Sequence, residues 1–154
     1  MLNRYRDAFK SYQRHDVRYV VVGGIASILH GVPRATFGLD ILVEATSHNV
    51  EHLLAALLEA GLATASMTTV DALLANEITV FKDRVRIDVL LRVPGVTFED
   101  AWARRLTLSY QGQDFFVLSR DDLIASKRAA GRPVDLEDVR LLELPDADDA
   151  ARPE

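Results

Sequence analysis

Cysteine is absent from the 154-residue chain, which excludes disulfides and thiolate metal sites and removes any sign of secretion. Long apolar runs are absent too. None approaches a membrane span, and the polar opening MLNRYRDAFKSYQRHD has no apolar signal core. A cytoplasmic location with no membrane partner is the resulting expectation. Excess basic charge is also missing: the formal net charge of -5 argues against strong non-specific binding to nucleic acid, which needs a basic footprint. Glycine and proline, at 8 and 5 residues, are too sparse to build a linker between two domains.

What is present is ordinary for a soluble globular protein. With 49% hydrophobic and 27% charged residues the chain can bury a real core, and one domain over residues 1–144 is expected. The polar, acidic run 145–154 reads as a disordered tail. Charge is unevenly spread. Arg120, Lys127, Arg128 and Arg132 fall close together ahead of an Asp- and Glu-rich stretch, so a local basic patch inside an acidic protein is an open reading.

Apolar spacing supplies the elements. Leu2, Tyr5, Phe9 and Tyr12 predict an amphipathic helix over 2–14, and Arg18 to Val22 a strand that Gly23-Gly24 ends. A short helix from Ile25 to His30 follows, then a second strand from Leu39 to Glu44. Ser47 is the expected N-cap of a helix through Ala60 that buries Leu53, Leu54, Leu57 and Leu58. Hairpins are expected for 77–81 with 85–91 and for 106–110 with 114–118. Thr97 and Ser119 are expected to cap further helices, and Pro133 to open the last one, through Leu144. This order predicts an α+β fold: a mixed, mainly antiparallel sheet with flanking helices.

The segment from Tyr19 to Val43 carries the chemistry. A Gly-Gly turn opening a helix offers free backbone N–H groups and a positive dipole end to a phosphate. A carboxylate on the next strand can hold the magnesium that accompanies a triphosphate. Positions 38, 40, 42 and 44 share a face, so carboxylates at 38 and 40 would lie about 7 Å apart, close enough to grip divalent ions. Only Asp40 is there; position 38 is glycine. Asp88, inside an apolar strand, is the other candidate, since an ionised Asp in such a strand needs a partner or a metal. Pairing of Asp40 with Arg34 and of Asp88 with Arg86 is the competing structural explanation. Glu44 lies about 13 Å further along the strand and cannot stand in.

Gly23-Gly24, Arg34-x-Thr36-x-x-x-Asp40 and Ile87-Asp88 together resemble the small nucleotidyltransferase-like domains of the DNA polymerase beta superfamily. The likeness is strongest to stand-alone bacterial domains related to abortive-infection toxin nucleotidyltransferases. The stretches Gly95 to Trp102, Ser119 to Lys127 and Gly131 to Asp138 match that group too, so roughly residues 15–144 are covered. The resemblance implies that Gly23 and Gly24 hold a triphosphate. It also implies that Asp40 and Asp88 are two of three Mg2+-binding carboxylates, and that Lys127 and Asp135 approach the nucleotide. Such relatives carry Asp-x-Asp where this chain has Gly38-Leu39-Asp40. At an effective dielectric near 20, one charge contact at 4 Å is worth about 4 kcal/mol, so weak metal binding and low or absent transfer chemistry are expected.

The remaining candidates carry two readings each. Lys127 can neutralise phosphate with Asp135 orienting it, or the two form a surface ion pair. Arg34 and Thr36, on the loop into the second strand, can reach phosphate or base, or Arg34 neutralises Asp40. His30 is expected to cover helix-end carbonyls, Trp102 to lie in the core, and His48 and His52 to flank an exposed stripe. Three functional readings follow. The first is an enzyme that moves a nucleoside monophosphate from an NTP to a protein or RNA hydroxyl. The second is a degenerate nucleotide-binding or regulatory module beside a toxin or antitoxin partner. The third is an enzyme inactivated by an introduced glycine.

Overall fold

The computed structural model describes residues 1–145. Apart from Pro145, the acidic tail expected at 145–154 lies outside the described residues. Among the described residues there are six strands, β1 (Tyr19–Val22), β2 (Leu39–Val43), β3 (Ile78–Lys82), β4 (Arg86–Leu90), β5 (Leu106–Tyr110) and β6 (Gln113–Val117). The α-helices are α1 (Arg6–Arg14), α2 (Gly23–Leu29), α3 (Ser47–Glu59), α4 (Val70–Leu74), α5 (Phe98–Ala103), α6 (Arg120–Ala130) and α7 (Pro133–Leu142).

The strands form one sheet in the order β3-β4-β2-β1-β6-β5. Neighbours β1–β2, β3–β4 and β5–β6 are antiparallel, whereas β1–β6 and β2–β4 are parallel. The expected mixed, mainly antiparallel α+β sheet is therefore observed. Its centre is dry, because Tyr19, Val20, Val21 and Val22 of β1 are all buried, the pattern of a strand covered on both faces. On one face α1 delivers Phe9, stacked on Phe115 with ring centroids 4.5 Å apart, and Tyr12, 4.7 Å from Tyr19. Leu39, Ile41 and Val43 point away from Asp40 and Leu42 by strand alternation, so β2 offers one fully apolar face and one face broken by a carboxylate.

Element boundaries shift in instructive places. The first helix breaks into a 3₁₀ turn, Leu2–Arg4, and α1, with Tyr5 between them. Thr46 caps α3 in place of Ser47: its extended backbone lets Oγ1 accept from Asn49 N at 3.2 Å, and Ser47 becomes the first helical residue. Of the four leucines expected inside, Leu53 and Leu57 are buried, Leu54 is half-buried and Leu58 is 47% exposed, while Ala56 faces inward in its stead. Thr97 and Ser119 cap α5 and α6 as expected. The β5–β6 hairpin closes on Gln111-Gly112, both with positive φ (48° and 79°), the two-residue turn that matches strand twist, so Gln113 joins the strand. The final helix stops at Leu142, short of Leu144.

Candidate functional site

Gly23 and Gly24 are the first two residues of α2 itself, and β1 runs into the helix with no intervening turn. Gly23 has φ +68°, and a Cβ there would overlap Asp40 Oδ2; only glycine lets the carboxylate approach the helix start so closely. A Cβ on Gly24 would lie 2.9 Å from Thr36 Oγ1 and 3.7 Å from Arg34 Cζ, so the loop into β2 packs directly on this turn. The sequence-predicted residues Gly23, Gly24, Arg34, Thr36 and Asp40 thus converge.

Asp40 and Asp88 are register partners on the parallel strands β2 and β4, which places both carboxylates on one face of the sheet. Of the two arginine pairings raised above as the competing explanation, one is present and one is not. Arg86 does pair with Asp88: Nε donates to Oδ1 at 2.9 Å and a terminal nitrogen to Oδ2 at 3.3 Å. Arg34 does not pair with Asp40; it donates to Asp138 Oδ2 at 2.6 Å. Among the described residues, Asp40 has no bonded cation. Burial, and next the charge of Asp88, push its carboxyl up to about 6 against the pull of Arg86, Lys127 and Arg34.

Lys127 and Asp135 are not a surface pair. Their exposures are 6% and 2%, and the nearer partner of Lys127 Nζ is Asp138 Oδ2 at 2.8 Å, with Asp135 Oδ1 at 3.8 Å. Asp138 therefore gathers Lys127, Arg34 and the hydroxyl of Ser27, at 3.3 Å, tying α2, the loop before β2, α6 and α7 together. Arg132 forks onto Asp135 through Nε at 2.7 Å and a terminal nitrogen at 3.2 Å. Burial raises Asp135, but the Arg132 fork and then Lys127 outweigh it and hold the carboxyl below its ordinary value. A cleft of about 140 Å³ opens among Gly23, Asp40, Leu123, Lys127, Arg132 and Asp135. It brings the β2 carboxylate and the α6–α7 cations to one place.

A divalent cation fits this donor set poorly. Among the described residues no group of three or more His, Asp or Glu side chains is disposed to hold a metal ion. Both oxygens of Asp88 already face a guanidinium. Position 38, a glycine, offers no side-chain donor.

A family model described as "Nucleotidyltransferase of unknown function (DUF6036)" matches residues 5–149. The chain belongs to this family. No curated protein matches the chain.

Membership in the DUF6036 nucleotidyltransferases gives the convergence of glycine turn, paired aspartates and cations a common context, and other features fall away from it. The basic stretch is not a free patch in this family member: Arg120 donates to Leu144 O at 3.0 Å, Arg128 pairs with Glu143, and Lys127 and Arg132 hold buried acids. His30 Nε2 donates to Leu118 O at 2.8 Å, a contact to the strand end instead of its own helix. Trp102 is half-buried under Arg105, whose guanidinium carbon lies 3.7 Å from the ring centroid. The rings of His48 and His52 lie 4.2 Å apart on α3. Among the described residues no helix is long and apolar enough to cross a membrane. Sequence reasoning missed Asp138 as the hub and Arg132 as the fork. The available signal was that 135 and 138 share a face of α7 one turn apart.

Proposed function

We propose that this chain binds the phosphates of a nucleoside triphosphate in the cleft between Gly23, Asp40, Lys127 and Arg132, and that nucleotidyl transfer from it is weak or lost. One observation carries the reading: Lys127 of α6 and Arg132, the N-cap of α7, line the same cleft as a carboxylate pressed against a glycine helix start. Arg132, whose side chain is 72% exposed outside its fork on Asp135, is the cation an incoming phosphate reaches first. Lys127 adds charge from beneath. Weak affinity for Mg2+ belongs to the same proposal, because the β2–β4 face offers two carboxylates and one of them is already neutralised. In this reading the protein acts as a nucleotide-binding or regulatory module, with a toxin or antitoxin as the kind of partner it serves.

A second reading, transfer of a nucleoside monophosphate to a protein or RNA hydroxyl, is favoured by the in-register Asp40–Asp88 pair. Paired carboxylates on one face are what phosphoryl-type chemistry uses to organise charge around the reacting group. Two measurements decide between them. Calorimetric titration with each NTP is expected to give saturable heat, and incubation with α-labelled NTPs is expected to leave protein and RNA unlabelled. Absence of heat with every NTP defeats the binding proposal. Ready incorporation of label defeats the loss of transfer.

A further inference from the structure

Positions 38, 40, 86 and 88 form a square on the cleft-facing side of the sheet. Asp40 faces Asp88 across the β2–β4 pairing, and the same register, through Leu39 and Ile87, sets Gly38 beside Arg86. Two corners are acids, one is bare, and the fourth is a guanidinium. The bare corner is not free space. A Cβ at position 38 would lie 2.9 Å from the Arg86 carbonyl oxygen, 3.0 Å from its Cγ and 3.2 Å from its Cβ, so the arginine stem fills the room a side chain at 38 would need. The stem then carries the guanidinium forward along its own strand to grip both oxygens of Asp88, at 2.9 and 3.3 Å.

We propose that Arg86 is the resident counter-cation of this site: its guanidinium occupies Asp88, one of the two carboxylates that would hold a divalent ion, and a phosphate-bearing ligand is bound without a metal. Gly38 and Arg86 are then one feature, the small residue making room for the large one. A guanidinium carries five N–H donors, more than the fork on Asp88 uses, and it suits phosphate as well as carboxylate. The square therefore keeps one positive charge among its acids but loses the open coordination positions a catalytic metal provides. The nature of the ligand rests on the function proposed above; the exclusion of the metal does not.

The test reads metal binding directly, with MnCl2 as the probe and no nucleotide present. Free Mn2+ is followed by electron paramagnetic resonance during titration of the parent chain, Arg86→Met and Arg86→Lys. Methionine keeps an unbranched stem and removes the charge, whereas lysine keeps the charge and loses the fork. The parent and Arg86→Lys are expected to bind Mn2+ no better than an Asp40→Asn/Asp88→Asn control. Arg86→Met is expected to bind at least about tenfold more tightly, through the released carboxylates. Parent binding as tight as that of Arg86→Met overturns the proposal, and so does an equal gain in Arg86→Lys. A chain that fails to bind any NTP leaves this readout intact, so the two proposals fail separately.

Discussion

Asp40 is a carboxylate whose charge the fold accommodates poorly. Its carboxyl rises from an ordinary 3.8 to about 6 through burial first and Asp88 second. A carboxyl raised on folding is protonated, and costs nothing, below the unfolded value; its ionisation opposes folding increasingly as pH rises from about 4 through about 6. Asp40→Asn is therefore expected to stabilise the chain at pH 8 by about 2 kcal/mol, with the gain shrinking toward zero near pH 4. Urea unfolding at the two pH values in the presence of a chelator checks this, and an equal effect at both would contradict it. Lys127 behaves in the opposite sense. Lys127→Met strips the nearer ammonium from Asp138 and Asp135, both buried, and is expected to cost about 2–3 kcal/mol, less than the full loss of a buried pair because Arg34 still holds Asp138. Arg128→Ala breaks only the exposed pair with Glu143 and is expected to cost under about 1 kcal/mol in the same assay.

At the scale of elements, local chemistry was legible and distant chemistry was not. Thr97 and Ser119 were identifiable as caps because a hydroxyl just ahead of a helical apolar repeat has one obvious use. The α3 cap shows the limit, since Thr46 and Ser47 are both competent and only the extended backbone of Thr46 separates them. Thr46→Ala is accordingly expected to lower the thermal midpoint by an amount equivalent to about 1 kcal/mol, while Ser47→Ala changes it little. The parallel pairings β1–β6 and β2–β4 join strands remote in sequence, so no turn signal announces them. The same applies at the site. Asp40, Asp88 and the glycines could be picked out one at a time. By contrast, Arg34 and Asp138 meet across 104 positions, and Arg34 had a nearer carboxylate to suggest itself in sequence. Gly38 was visible as a missing donor, but that Arg86 fills its space is a property of the β2–β4 register alone.

Over the whole molecule, the net charge of -5 coexists with a cleft to which Lys127 and Arg132 bring positive charge. Membership in the DUF6036 nucleotidyltransferases and the six-stranded sheet are the setting in which that cleft is proposed to seat a phosphate chain. In the proposed reading, the Arg86 guanidinium on Asp88 takes the place of a metal and leaves that seat little capacity for transfer. The most direct measurement is an equilibrium titration of ATP, GTP, CTP and UTP into the chain and into Arg132→Ala, with excess EDTA throughout. At least one nucleotide is expected to bind the parent chain, to be displaced by pyrophosphate, and to bind Arg132→Ala about tenfold more weakly. Binding that appears only when Mg2+ replaces EDTA, or that is indifferent to Arg132, would contradict the account.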